Sequence, residues 1–186
     1  GVMDPICDNV PDFCWDTCVP YVACGELEDG DEVVIIGAGG VGISVMQGAR
    51  IAGARQIIAI DLLDEKLKSA QTFGATDIIN SSMVDPVKAI RKMTGGGADY
   101  AFEVVGLPQL LEQAFYCLAP HGTAVLVGAI PVGEKISVNA GHFFLEKRIL
   151  GCMMGSNRFT IDAPHYLDLY RQGIGQFLIE LQEQLN

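Results

Sequence analysis

A run of glycines directly after a short apolar segment constrains this chain more than any other feature. Glu32 to Ile36 (EVVII) is too short and too apolar for an amphipathic helix, and the glycine that follows it marks it as a buried strand of a parallel sheet. Gly37 permits a tight turn. Gly39 lets backbone approach a pyrophosphate, with Gly40 and Val41 beside it, and Gly42 removes a side chain where a helix must pack on the strand. Val41, Val45, Ala49 and Ala52 then recur at helical spacing until Gly53 stops the pattern. The N-terminus of such a helix offers unpaired N–H groups and the positive end of its dipole, which together favour a phosphate.

Gln56 to Ile60 is a second apolar run, closed by Asp61 nineteen residues beyond Gly42. A carboxylate there can accept hydrogen bonds from the hydroxyls of an adenosine ribose. The unit Glu32 to Asp61 therefore reads as a dinucleotide-binding βαβ segment that prefers NAD to NADP. The alternative is a purely structural glycine turn. A methyltransferase usually places another acid just before its glycines, where Ile35 and Ile36 stand here.

The alternation of strand and helix continues. Leu63, Leu67, Ala70 and Phe73 space a helix ending at Gly74, and Asp77 to Asn80 is a short strand. Val84 to Met93 reads as a crossover helix, Tyr100 to Val105 as a strand, and Leu110 to Leu118 as a helix face. Pro120, His121 and Gly122 turn into the strand Thr123 to Val127. Ile130 to Gly141 is loop-rich, and Arg148 to Met153 is a sixth strand candidate. Ile161 to Arg171 reads as a helix, and Phe177 to Leu185 as a terminal helix or a poorly ordered end. The expected architecture is an α/β Rossmann fold, a doubly wound six-stranded parallel sheet in the order 3-2-1-4-5-6 with helices on both faces. Loops at the carboxyl ends of such strands hold the ligand, which places Gly106 and Gly128 near a coenzyme. Residues 30–186 form that domain, and residues 1–29 an irregular leader or the remnant of another domain, with the boundary at Glu28 to Asp31.

The chain of 186 residues is 49% hydrophobic, and no apolar stretch approaches the roughly 20 residues of a membrane span. Its 12 basic and 23 acidic residues give a net charge of −11, which disfavours nucleic acid or an anionic membrane as partner. No basic segment followed by an apolar run opens the chain, so the expected setting is cytoplasmic. Four of six cysteines (Cys7, Cys14, Cys18 and Cys24) crowd the first 24 residues, which invites a zinc reading. Their gaps of six, three and five residues contain no C-x-x-C pair, and His121, His142 and His165 lie far away. A complete zinc site within that segment is not expected.

The run GDEVVIIGAGGVGISVMQGARIAGARQIIAIDLLDEKLKSAQTFGATDIIN resembles the coenzyme domain of zinc-containing medium-chain alcohol dehydrogenases, and the likeness continues through FEVVG, VLVGAIP and EKRILGCMMGS. The resemblance covers roughly Gly30 to Gln172. It implies NAD-dependent interconversion of an alcohol and an aldehyde or ketone, with a zinc ion polarising the alcohol oxygen. By position it also implies Gly37, Gly39, Gly40, Val41 and Gly42 at the pyrophosphate, and Asp61 and Lys66 at the adenosine ribose. Val105 and Gly106 would lie beside the coenzyme, Val127, Gly128 and Ala129 near the nicotinamide, and Met154 near its carboxamide.

The family's catalytic zinc domain has no counterpart here, so zinc is expected only in a full-length protein, and no catalytic or metal-binding residue is assigned to this chain. In DTCVPY, Cys18 and then Asp16 come nearest to the family's last zinc ligand. Two readings follow: the NAD(H)-binding part of an alcohol dehydrogenase-like oxidoreductase, inactive in isolation, or a freestanding nucleotide-binding or regulatory module. The strand Arg148 to Met153 should end the sheet and pair with a second copy as a homodimer.

Overall fold

In the computed structural model the described residues are 27–152 and Asp168, and six strands and four α-helices are found among them. Strand β1 (Glu32–Ile36) is buried along its whole length, as a central strand covered on both faces must be. Helix α1 (Gly40–Ile51) follows, then β2 (Gln56–Asp61), α2 (Asp64–Thr72), β3 (Asp77–Asn80) and α3 (Pro86–Met93). The second half runs β4 (Ala98–Glu103), α4 (Pro108–Cys117), β5 (Leu118–Leu126), a 3-10 helix (Ala140–Leu145) and β6 (Arg148–Gly151). The sheet order is β3-β2-β1-β4-β5-β6, and every pairing is parallel. Fold class and strand order are as the sequence led us to expect.

Two apolar clusters lie on opposite faces of the sheet because side chains along a strand alternate. Val33, Ile35, Ile57 and Phe102 pack with Val45, Met46 and Ala49 of α1 and Leu67 of α2. Val34, Ile36, Ile58 and Ile60 pack with Ile90 of α3 and with Leu111, Ala114 and Phe115 of α4. Leu27 belongs to the first cluster, so the core begins before the Glu28 to Asp31 turn that the sequence suggested as a boundary. Cys117 is buried in the second cluster, and burial pushes its thiol up to about 12, which leaves it a small neutral packing group.

Boundaries moved in four places. β4 starts at Ala98 and stops at Glu103, so Val104 and Val105 belong to the following turn. β5 begins at Leu118, where Ala98 pairs with it, and the register then jumps to Tyr100 with Thr123. Pro120, His121 and Gly122 are therefore a bulge inside a strand, with His121 in the left-handed region at φ 66°. α3 starts at Pro86 rather than Val84, because Asp85 caps it by accepting from Lys88 N at 3.2 Å and proline suits the first turn. The 3-10 helix Ala140–Leu145 lies mostly beyond the loop Ile130 to Gly141 and was not foreseen. His142 packs edge-on against Phe115 and Tyr116 of α4 and Phe143 lies tilted against Phe115, and buried Lys147 donates to Leu118 O at 2.7 Å just after α4. β6 is described as Arg148–Gly151. Met153, Met154, the cysteine-rich leader and the two C-terminal helix candidates, Asp168 apart, lie outside the described residues.

Among the described residues no helix is long and apolar enough to cross a membrane.

Candidate coenzyme site

The turn after β1 is built by three glycines with three different physical duties. Gly37 sits at φ +113°, donates to Ile60 O at 2.8 Å, and has no room for a side chain: a Cβ would lie 2.7 Å from Val105 Cγ2 and 3.0 Å from Val104 Cγ2. Gly42 allows α1 to pack on the turn, since a Cβ there would lie 1.9 Å from Gly37 O. Gly39 is different. Nothing lies within 4 Å of where its Cβ would be, and its backbone is extended at φ −85° and ψ −170°, so its surroundings are open to a ligand.

Gly39 is also the N-cap of α1 and offers no side-chain cap, and the first turn of α1 contains no acid. The first N–H groups of a helix have no intrahelical acceptors, so this end retains its donors and its positive partial charge. The other helix starts are compensated. α2 has Asp64 and Glu65 in its first turn, α3 has Asp85, and the turn leading into α4 has Glu103. Among the described α-helices, Asp85 caps α3 and Glu103 reaches the N-cap N–H of α4, whereas Asp61 reaches only Ala38 N, one residue before the N-cap Gly39 of α1.

Asp61 ends β2 beside this turn. Its Oδ2 accepts from Ala38 N at 2.9 Å, while Oδ1 accepts from Leu62 N at 2.8 Å and Leu63 N at 3.1 Å. Lys66 Nζ stands 4.0 Å from Asp61 Oδ2, with half its side chain exposed. The carboxylate is thus fixed by backbone donors, yet it retains accepting capacity for hydroxyl groups. Leu62, which sequence reasoning did not single out, follows Asp61 with 63% of its surface exposed, and Val105 across the sheet's edge is 50% exposed. An exposed apolar residue immediately after the strand-ending acid was the available signal.

The remaining candidates lie at the carboxyl ends of β4 and β5. Val127 N and Gly128 N both donate to Glu103 O at 2.9 Å. A Cβ on Gly106, which sits at φ +94°, would lie 2.7 Å from Ala129 O, and one on Gly128 would lie 2.1 Å from Gly106 N. These glycines are demanded by each other: the two loops touch backbone to backbone. Gly37, Gly39, Gly40, Val41, Gly42, Asp61, Lys66, Val105, Gly106, Val127, Gly128 and Ala129 all fall at the carboxyl edge of the sheet, around the point where strand order reverses between β1 and β4. Met154 lies outside the described residues. Among the described residues no group of three or more His, Cys, Asp or Glu could hold a metal ion.

A parallel six-stranded sheet in this order, with a glycine turn opening onto a helix start at its switch point, defines a Rossmann-type α/β domain. Residues 40–170 match the family model described as zinc-binding dehydrogenase, and the chain belongs to that family. It is 38% identical over 148 residues to alcohol dehydrogenase-like 6 of Arabidopsis thaliana, a match spanning 78% of this chain and 39% of that protein. It is 32% identical over 173 residues to the S-(hydroxymethyl)glutathione dehydrogenase of Paracoccus denitrificans, spanning 82% of this chain and 46% of the relative. Among solved structures, benzyl alcohol dehydrogenase from Acinetobacter calcoaceticus superposes with a TM-score of 0.84 at 34% identity, covering 87% of this chain and 46% of that one. A structure from Sinorhizobium meliloti 1021, described as a zinc-binding dehydrogenase bound to NADP, superposes with a TM-score of 0.73 at 28% identity, covering 89% of this chain and 46% of that one. The chain thus spans less than half the length of these relatives.

Proposed function

We propose that these 186 residues are the NAD(H)-binding part of an oxidoreductase that interconverts an alcohol with an aldehyde or ketone. The observation that carries this reading is the start of α1, with open space at Gly39 and no acid in its first turn, beside the backbone-anchored carboxylate of Asp61. The N–H groups of Gly39, Gly40, Val41 and Gly42 would receive the pyrophosphate. Asp61 would accept from the adenosine ribose hydroxyls with Lys66 at its side, and the exposed Leu62 and Val105 would offer apolar contact at the mouth. Val127, Gly128, Ala129 and Met154 would lie toward the nicotinamide. When bound, the coenzyme supplies the hydride chemistry, and the chain's own residues hold and orient it.

Asp61 favours NAD over NADP, because a 2′-phosphate would meet its charge in a partly desolvated site. The NADP-bound relative supports a nucleotide coenzyme in general and leaves the choice to residues such as this one. Turnover is assigned to the complete enzyme, since the chain spans about two fifths of its alcohol dehydrogenase-like relative and the spacing of its first four cysteines does not match a complete zinc site. Calorimetric titration with NADH, followed by an alcohol oxidation assay on the zinc-loaded chain, tests both halves. Binding without turnover is expected. Absence of binding would favour the second reading, a nucleotide-binding module that uses the fold for another ligand, and steady turnover would remove the claim of inactivity.

The outer edge of β6 is proposed to pair with a second copy. Leu150 is 42% exposed there, and Phe144 in the preceding 3-10 helix is 92% exposed. Unpaired ladder groups with apolar neighbours favour an isologous antiparallel pairing across a two-fold axis.

A further inference from the structure

Glu103 is the last residue of β4, inserted between Ile36 of β1 and Leu126 of β5, and it is fully buried. Its Oε1 accepts from three successive backbone N–H groups, Gly106 at 2.8 Å, Val105 at 2.9 Å and Leu107 at 3.5 Å. Its Oε2 is buried and has no hydrogen-bond partner. A Cβ on Gly128 would lie 2.7 Å from that oxygen, so Oε2 sits against the Gly128 backbone, where the β5 loop closes on the β4 loop. Among the described residues no salt bridge accompanies this carboxylate, and its compensation is the backbone of one turn.

Convergent N–H groups ahead of a helix are an anion-binding arrangement. The sheet's carboxyl edge carries two of them on either side of the switch point: one before α1, open at Gly39, and one before α4, filled by Glu103. We propose that Glu103 is a positioning residue, an internal anion that occupies the N–H ring at the β4–α4 turn, sets the path of Val105 and Gly106 beside the coenzyme, and so reserves the α1 turn for the coenzyme's phosphates. This deepens the NAD(H) reading and rests on it. The arrangement also accounts for Gly128: a side chain there would press on Glu103 Oε2 and on Gly106 N together. Val105 and Val104 in turn lie against the Gly37 position, so the filled ring and the open ring share a wall.

The test compares Glu103→Ala with Glu103→Gln in the full chain, with and without acetate, which replaces the carboxylate and methylene that the alanine variant lacks. Losing a charged acceptor shared by three donors should weaken NADH binding by about tenfold or more in Glu103→Ala. Glu103→Gln keeps an acceptor in the same place and should stay within about threefold of the parent chain. Acetate should raise the unfolding midpoint of Glu103→Ala and restore its NADH affinity, while leaving the parent chain and Glu103→Gln unchanged. A Glu103→Ala chain that folds only in acetate would also support the assignment. Parent-like NADH binding by Glu103→Ala, or a Glu103→Gln chain as weak as Glu103→Ala with acetate silent on both, would overturn it. If the parent chain itself fails to bind NADH, the coenzyme reading falls, and the acetate effect on the unfolding midpoint still decides whether Glu103 fills the ring.

Discussion

Ala38 donates its backbone N–H to Asp61 Oδ2 at 2.9 Å, which ties the acid at the end of β2 to the glycine turn at the end of β1. The residue proposed to choose between coenzymes is therefore also a structural strut. Asp61→Ala leaves Ala38, Leu62 and Leu63 N–H groups without their acceptor and should cost about 1–3 kcal/mol in urea unfolding. It should also narrow the preference for NADH over NADPH, which repulsion of the 2′-phosphate sets at about 2 kcal/mol. Equal binding of both coenzymes by the parent chain, measured by calorimetry, would remove Asp61 from that role.

Two glycines of the same turn give opposite outcomes for the same substitution. Gly42→Ala drives a Cβ to within 1.9 Å of Gly37 O, forces α1 off the turn and should destabilise the chain by about 3 kcal/mol or fail to fold. Gly39→Ala meets nothing within 4 Å on an extended backbone, so its unfolding midpoint should match the parent's. Its NADH affinity should nonetheless fall by about tenfold, because the methyl occupies the approach of the pyrophosphate. A Gly39→Ala chain that binds NADH as the parent does would show that the phosphates lie elsewhere.

Burial raises the Glu103 carboxyl above its ordinary value of 4.5, with the N–H groups of Gly106, Val105 and Leu107 pulling it partly back. In that window the folded chain holds a proton that the unfolded chain has released, so this residue's contribution to stability declines as pH rises above 4.5 and levels off once the folded-state value is passed. Glu103→Gln should flatten that part of the stability profile in urea titrations at successive pH values. Glu32 is also raised by burial, offset by Arg55, and contributes a decline in the same direction that the substitution leaves in place. An unchanged slope in Glu103→Gln would show that Glu103 is no more protonated in the folded chain than in the unfolded one.

Light scattering at micromolar concentration should report a dimer. Cys152 N–H points inward to Leu126 O, so the N–H of the adjacent Gly151 points outward, and Gly151→Pro should remove that edge donor and return the chain to a monomer. A monomeric parent chain would leave the edge to some other cover.

The periodicity of the chain made most of the fold legible. β1 and β2 needed only local rules, because a parallel strand covered on both faces is almost continuously apolar. The end of β4 was misjudged by two residues. Val104 and Val105 continue the apolar run, and while Val104 N still donates to Ile36 O at 3.2 Å, Val105 N turns back to Glu103 Oε1. The bulge at Pro120 to Gly122 looked like a turn between elements, since the pairing of Leu118 with Ala98 before it is a long-range fact. The 3-10 helix Ala140–Leu145 has almost no local signal. It is held by His142 and Phe143 against Phe115 and Tyr116.

By itself the sequence determined the layer order, the glycine turn, the acid that closes β2 and the face of each helix, all of which depend on residue types at fixed spacing. Tertiary structure decided which of those groups remain available. The sequence reads Gly106 and Gly128 as turn glycines that let a coenzyme pass, and the tertiary structure adds that each is also required by the backbone of the other's loop. Glu103 looked like one more strand residue, yet it fills an anion ring formed by residues that follow it. Both outcomes depend on the closure of the β4 and β5 loops on each other, and no pattern along the chain encodes which donor will find its partner across the fold.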